Sequence, residues 1–322
     1  MQSFTASAES LSPLPGVMHA GGISLIRVSG ADAVHFLHGQ FTQAVENLGS
    51  RTTLAGYCSP KGRLLALMRV WMEGDDVMLA LPASMAEGFL KRIRMYVLRA
   101  KVVFTPLDPA PQTLVFVGKA GEKAAAEMGL AIPGPGEVRA EGGVTLLGLP
   151  PSEAIEGFCA GGSRTLALFP AATEFPFKPA PDAWRTAAVI AAGVPQILPE
   201  TRERFVPQAV NLELVGGVSF RKGCYPGQEV VSRVQHIGET NRRAAIGRIA
   251  AGEDVLPGAP VYSDGDEAGS VIISTRIGNE ALIFYSATLS SIEKGVSLAP
   301  EGAKLANVPL PYRIRNVLTE NA

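Results

Sequence analysis

Apolar and polar positions alternate along this chain in two rhythms, and the rhythms predict its elements. Residues 23–28, Ile-Ser-Leu-Ile-Arg-Val, read as a first strand. The period then changes: Val34, Leu37 and Phe41 fall three and four apart, the spacing of one helix face. Ser29 as N-cap, with Asp32 three residues on, predicts where that helix starts, because both oxygens can satisfy free N–H groups of a first turn. An apolar run over residues 64–71 predicts a strand entered from a turn at 60–62, and 77–81 predicts another after a turn at Asp75-Asp76. Ser84-x-x-Glu87 reads as a second capping box, and Met85, Phe89, Ile93 and Val97 form a core-facing stripe at spacing four. Strands over 114–117, 144–147 and 164–169 and a short helix over 122–128 follow, with Cys159 in a Gly-rich loop at 157–162. Asp182 is expected to cap a helix over 183–192 that Gly193 and Pro195 end.

After Arg243 the character changes. Residues 246–250, 260–262, 270–275, 281–285 and 296–298 read as short strands separated by Gly, Asp and Pro turns, with 311–314 as a closing strand. That spacing predicts a small C-terminal β-barrel. The Pro-rich stretch 107–112 is expected to be a domain joint.

Composition narrows the function classes. The chain has 322 residues, 47% of them apolar and 18% charged, with net charge −1, so it is globular and overall charge points to no nucleic-acid partner. Residues 1–22 lack the basic start and apolar segment of a secretory signal, and no run approaches the length of a membrane span. Cys58, Cys159 and Cys224 are odd in number and far apart, which argues against a disulfide framework and for a reducing cytoplasm. They form no compact cluster-ligand pattern, and His35 and His38, three apart on the first helix, have no Cys or acidic partner at metal-site spacing; no metal site is expected. Lys91, Arg92, Arg94, Arg99 and Lys101 lie in and just beyond one helix, either as a solvated face or as a docking face for RNA phosphates or a polyglutamate tail.

The densest chemistry is in residues 220–230, Phe-Arg-Lys-Gly-Cys-Tyr-Pro-Gly-Gln-Glu-Val. Gly223, Pro226 and Gly227 favour a tight, irregular backbone that holds polar side chains at fixed angles. Arg221 and Lys222 precede Cys224, and positive neighbours favour a thiolate. Lys222 and Arg233 are suited to carboxylates, and Asn211, Gln228 and Glu229 carry donors and acceptors for a heterocycle edge. Cys224 and its charged neighbours are expected to face a cavity. Phosphate loops, zinc helices and nucleophile elbows are absent from the sequence.

Lys222-Gly223-Cys224-Tyr225-x-Gly227-Gln228-Glu229, preceded by Pro207-Gln208-x-x-Asn211-Leu212, resembles the YgfZ family of folate-binding proteins, relatives of the aminomethyltransferase (T-protein) of the glycine cleavage system. The blocks Val28–Thr42 and Ser59-Pro60-Lys61-Gly62-Arg63 are similar to the same family, with Gln43-Ala44 where members often carry Asn-Asp. The resemblance implies an α+β, aminomethyltransferase-like fold of three domains: residues 1–50 and 110–240 as a discontinuous folate-binding domain, 51–109 as an inserted α+β domain, and 241–322 as the barrel. It implies Cys224 as a functional thiol, and a tetrahydrofolate site drawing on Arg185, Asn211, Lys222, Tyr225, Gln228, Glu229 and Arg233.

The function it implies is a tetrahydrofolate-binding accessory protein supporting iron–sulfur cluster assembly or repair and thereby tRNA modification. Partners would be folate, iron–sulfur enzymes or assembly factors, and tRNA, with no membrane. The competing readings are a folate-dependent aminomethyl transferase and a tRNA-binding protein. Aminomethyltransferases place an acid shortly after the 60–62 turn; here Leu65 and Ala66 stand there, and neither can move a proton. Their aromatic-Thr-Gly-Glu segment is also missing, with Ala167-Leu168-Phe169-Pro170 in its region.

Overall fold

The computed structural model describes residues 13–175, 177–236, 241–250 and 254–314. In chain order the first elements are β1 (Pro13–His19), β2 (Ile23–Ser29), α1 (Ala33–His38), β3 (Thr53–Cys58), β4 (Leu64–Glu73), β5 (Asp76–Pro82), α2 (Ala83–Arg94) and β6 (Val103–Pro106). Then come β7 (Gln112–Val117), α3 (Gly118–Glu127), β8 (Val138–Glu141), β9 (Val144–Ile155), β10 (Cys159–Phe169), β11 (Lys178–Ala180) and α4 (Asp182–Ala191). Two 3-10 turns, Pro199–Thr201 and Pro207–Val210, lead to α5 (Gln228–His236), and β12 (Arg242–Ala250), β13 (Pro260–Ser263), β14 (Asp266–Ile277), β15 (Glu280–Thr288), α6 (Leu289–Lys294) and β16 (Ala306–Val308) finish the chain.

These make three sheets: β11-β1-β7-β10-β9-β8, β3-β4-β5-β2-β6 and β13-β14-β15-β12-β16. The chain crosses from the first sheet to the second at Gly21-Gly22, because β2 pairs with β5 and β6 while β1 pairs with β7. It returns through residues 107–112. Residues 23–29 therefore belong with the sheet of the 51–109 segment, and the change of sheet lies nearer 22 than 50. The third sheet is antiparallel. Its edge strand β13 bridges Ser297 through Tyr262, and Ser297 bridges Lys304, two residues before β16 on the opposite edge. Pro311 to Ile314 form no strand; Tyr312 there donates its hydroxyl to the Gly193 carbonyl at 2.7 Å.

Packing explains the order. β4 is buried on both faces for most of its length, so it reads as a continuous apolar run rather than an alternation. The α2 stripe Met85, Phe89 and Ile93 lies on this sheet, where Phe89 meets Tyr57 edge-on at 5.6 Å and Phe104 at 6.4 Å. In the first sheet, Leu114 and Phe116 face a cluster with α3, while Val115 and Val117 face the main core and α4. That core continues through Ala187, Ala188 and Ile190 of α4 to Ile273 and Phe284 of the third sheet. Cys159 is buried at the start of β10, not in a loop.

The caps differ from expectation in each of three helices. α1 begins at Ala33, four residues after Ser29. Gly30 (φ 113) lets the chain pass so close to Lys101 that a Cβ there would lie 2.1 Å from its carbonyl oxygen, and Asp32 accepts the Lys101 N–H at 2.7 Å. α2 begins at Ala83, so Ser84 lies inside it and makes no cap. Asp182 is already the first residue of α4, and its carboxylate grips Arg185 at 2.5 and 3.0 Å. A guanidinium offers two charge-assisted bonds where a cap offers one neutral N–H. Among the described residues no helix is long and apolar enough to cross a membrane.

Candidate functional site

Where the three sheets converge there is a cavity of about 370 Å³. Leu54, Leu67 and Met68 come from the second sheet, Val115, Leu149 and Leu166 from the first, Val189 from α4 and Ile273 from the third. Into these apolar walls project three guanidiniums, Arg69, Arg164 and Arg185, and one carboxylate, Asp182. Asp182 is committed to Arg185. Arg164 is 4% exposed; its Nη1 donates to the Pro150 carbonyl at 3.2 Å, and its Nε is buried with no partner among the described residues. Burial pulls Arg69 down to about 10. Burial, then repulsion from Arg69, pulls Arg164 down to about 9. Two cations without a matching carboxylate in an apolar chamber favour an anionic guest, because a buried charge is tolerated when paired. A flat apolar ligand with a carboxylate end fits that donor set; the chamber's volume is in the range of small-molecule sites.

Of the eight residues singled out in the sequence, Arg185 lines this cavity. The other seven do not line it. The 222–229 turn packs against the turn at Ser59–Gly62. A Cβ on Gly227 (φ 81) would lie 2.4 Å from the Ser59 carbonyl oxygen and 2.7 Å from the Gly62 Cα. Two stretches more than 150 residues apart thus meet glycine against glycine. Lys222 is half-buried; its Nζ donates to the Phe41 carbonyl at 2.6 Å and to that of His38, closing the end of α1, and lies 5.1 Å from the Tyr225 ring centre. Burial holds it at about 8. Tyr225 is 5% exposed, its hydroxyl has no hydrogen-bond partner among the described residues, and burial raises its pKa. Cys224 is exposed. Gln228 and Glu229 begin α5, and Arg233 stands exposed in its last turn.

Asn211 does structural work. At φ 58, its amide bonds both the N–H (3.2 Å) and the carbonyl (3.0 Å) of Ala244, tying the 3-10 turn to β12. Beside it, Glu213 pairs with Arg243 in a buried ion pair. His35 and His38 both lie 3.5 Å from the Glu46 carboxylate.

No motif marks Arg69 or Arg164, yet the sequence carries a signal for them: each is a lone charge inside or beside an apolar strand, Leu-Met-Arg-Val-Trp and Ser-Arg-Thr-Leu-Ala-Leu. An unpaired charge there requires a cavity or a partner.

No family model matches the chain. A Haemophilus influenzae relative, described as an uncharacterized protein, is 26% identical over 298 residues, 90% of this chain and 95% of that one. The tRNA-modifying protein YgfZ of Cronobacter sakazakii is 28% identical over 315 residues, covering 90% and 91%. That of Edwardsiella ictaluri is 30% identical over 303 residues, covering 89% of each. The fold is that of the glycine cleavage system aminomethyltransferase T from Bartonella henselae, with a TM-score of 0.59 over 92% of this chain and 85% of that one at 14% identity.

Proposed function

The chain belongs to the YgfZ family, and on that premise we propose that it is a tetrahydrofolate-binding accessory protein that supports iron–sulfur cluster assembly or repair and, through it, tRNA modification. Relatives of matching length are named tRNA-modifying proteins, and the fold is the one an aminomethyltransferase uses. The observation that carries the folate half is the cavity: apolar walls for a pteridine and benzoyl ring, and Arg69, Arg164 and Arg185 for the glutamate carboxylates. Bound there, the folate supplies a reduced one-carbon carrier. The protein's own residues supply the chamber, the counter-charge and the exclusion of water. Cys224 is the functional thiol in this reading, working at the surface beside Lys222 rather than inside the chamber. The turn that holds it is packed so closely on the 59–62 turn that a Cβ at Gly227 would lie 2.4 Å from the Ser59 carbonyl oxygen.

Aminomethyl transfer is the weaker reading. Leu65 and Ala66, where the related enzymes carry their acid, are 4% and 2% exposed hydrocarbons, and neither can take or give a proton.

Anaerobic titration calorimetry of the full chain with tetrahydrofolate tests the proposal. Saturable binding, weakened by Arg185→Ala, is expected. Absence of saturable heat at high micromolar protein removes the folate half. A strain lacking the protein should lose methylthiolated tRNA and regain it with the wild-type gene but not with Cys224→Ala.

A further inference from the structure

Residues 88–107 hold five cations, Lys91, Arg92, Arg94, Arg99 and Lys101, and no acid, in a chain whose net charge is −1. Lys91, Arg94, Arg99 and Lys101 are exposed. The same stretch carries four of the six large apolar side chains exposed among the described residues: Met95, Tyr96, Leu98 and Val103. Leu98 is 88% exposed and sits at φ 42, a conformation side chains other than glycine's rarely take. An 88% exposed leucine at positive φ, in a stretch this rich in cations, is not what a merely solvated face needs.

At the foot of this face is a second hollow of about 120 Å³, between α2 and the Pro199–Thr201 turn. On that measure one water needs roughly 10–15 Å³, so the hollow has room for several waters or a small oxyanion. Arg92 and Arg202 line it with the Ser84 side chain, and no carboxylate does. The Arg92 Nε is buried with no hydrogen-bond partner among the described residues, and the guanidinium lies beside the Tyr57 hydroxyl, which also lines the hollow. Ser84 also lines the main cavity, so the two hollows are neighbours.

We propose that this face, from the Arg92–Arg202 hollow across Lys91, Arg99 and Lys101, docks the backbone of RNA: one phosphate seats in the hollow, its neighbours meet the exposed cations, and Tyr96 offers its ring to an unpaired base. The idea rests on the tRNA-modification reading and adds a direct RNA contact to it. Two observations favour RNA over other polyanionic surfaces. The hollow presents two guanidiniums and no carboxylate, and further cations recur in the last turn of α2 and in the segment after it, which suits successive phosphates. The opposite side of α2 is committed to the core, so this helix cannot lie flat in a lipid interface.

Fluorescence polarisation with a labelled, unmodified tRNA transcript, read over a salt series, tests it. Each phosphate contact contributes roughly 0.7–0.9 to the slope of log affinity against log salt. The triple variant Lys91→Ala/Arg99→Ala/Lys101→Ala, whose side chains make no hydrogen bond among the described residues, should flatten the slope by about 2 and weaken binding roughly tenfold or more. Tyr96→Ala should weaken binding about fivefold or more with the slope unchanged. Arg92→Gln/Arg202→Gln should weaken it comparably to the triple variant; if that pair fails to fold, the triple variant and Tyr96→Ala decide alone. Wild-type tRNA affinity in the triple variant, no binding by the wild type, or binding to phosphatidylglycerol-containing vesicles in place of RNA would each overturn the proposal. The calorimetric titration with tetrahydrofolate separates this failure from failure of the folate reading, and the triple variant must leave that titration unchanged.

Discussion

Arg164→Met should make the ligand-free protein more stable and the folate complex weaker. The guanidinium is 4% exposed, has one hydrogen bond, to Pro150 at 3.2 Å, and leaves Nε without a partner, among the described residues. Its fall from 12.5 to about 9 corresponds to roughly 5 kcal/mol at about 1.36 kcal/mol per pH unit. Relaxation and water in the chamber reduce that figure, and the variant gives up the bond to Pro150. Methionine replaces the aliphatic stem and removes the charge, leaving the guanidinium's place to the chamber, so a gain of about 1–3 kcal/mol is expected, in the range seen when buried ionic groups are replaced by apolar ones. The sign reverses with ligand. A charge-assisted bond to a carboxylate contributes about 1.5–3 kcal/mol, so the variant should bind tetrahydrofolate roughly 10- to 100-fold more weakly. Urea melts of both proteins without ligand measure the first effect, and calorimetry measures the second. Destabilisation of the ligand-free variant by more than about 1 kcal/mol, far above the ordinary surface effect, would refute the argument, because it would mean that the cation is a fixed part of the fold rather than a seat for an anion.

Other outcomes concern the three thiols and the 222–229 turn. One thiol, Cys224, should react rapidly with a disulfide reagent in the native state, and all three after unfolding. Cys58 and Cys159 are buried, and burial pushes Cys58 up to about 12; a second fast native thiol would contradict this. Lys222 sits at about 8 in the fold against an ordinary 10.5. Between those values the unfolded chain binds the extra proton, so this group's contribution makes stability rise with pH across about 8 to 10.5. Arg69 and Arg164, also lowered by burial, add a rise of their own near the top of this range, so comparing urea midpoints at both ends should show a smaller rise for Lys222→Met than for the wild type. Gly227→Ala should destabilise the fold by about 2 kcal/mol or more, since the added Cβ meets backbone 2.4 Å away at a positive φ. An unchanged urea midpoint would show that the 222–229 and 59–62 turns do not lock together.

Much of the architecture was legible in the residues. The apolar runs over 64–71 and 77–81, the stripe Met85, Phe89 and Ile93, and the turn-separated strands after Arg243 each depend on which side chains leave water, and that is a local property of sequence. The motifs at 59–63 and 222–229 were legible as chemistry, because glycines, cations and a thiol concentrated in few residues are visible without coordinates.

Helix starts were not legible. Ser29, Ser84 and Asp182 had the right side chains for caps, but Asp32 and Asp182 found better partners in Lys101 and Arg185, one of them 69 residues away. Nor could the sequence tell which site each chosen residue would join. Lys222, Tyr225 and Asn211 were held by carbonyls and packing from α1 and β12. The chamber instead gathered Arg69 and Arg164, residues that no motif marks. A cavity exists only where three sheets fail to fill the space between them, and that residue of packing belongs to no single stretch of chain.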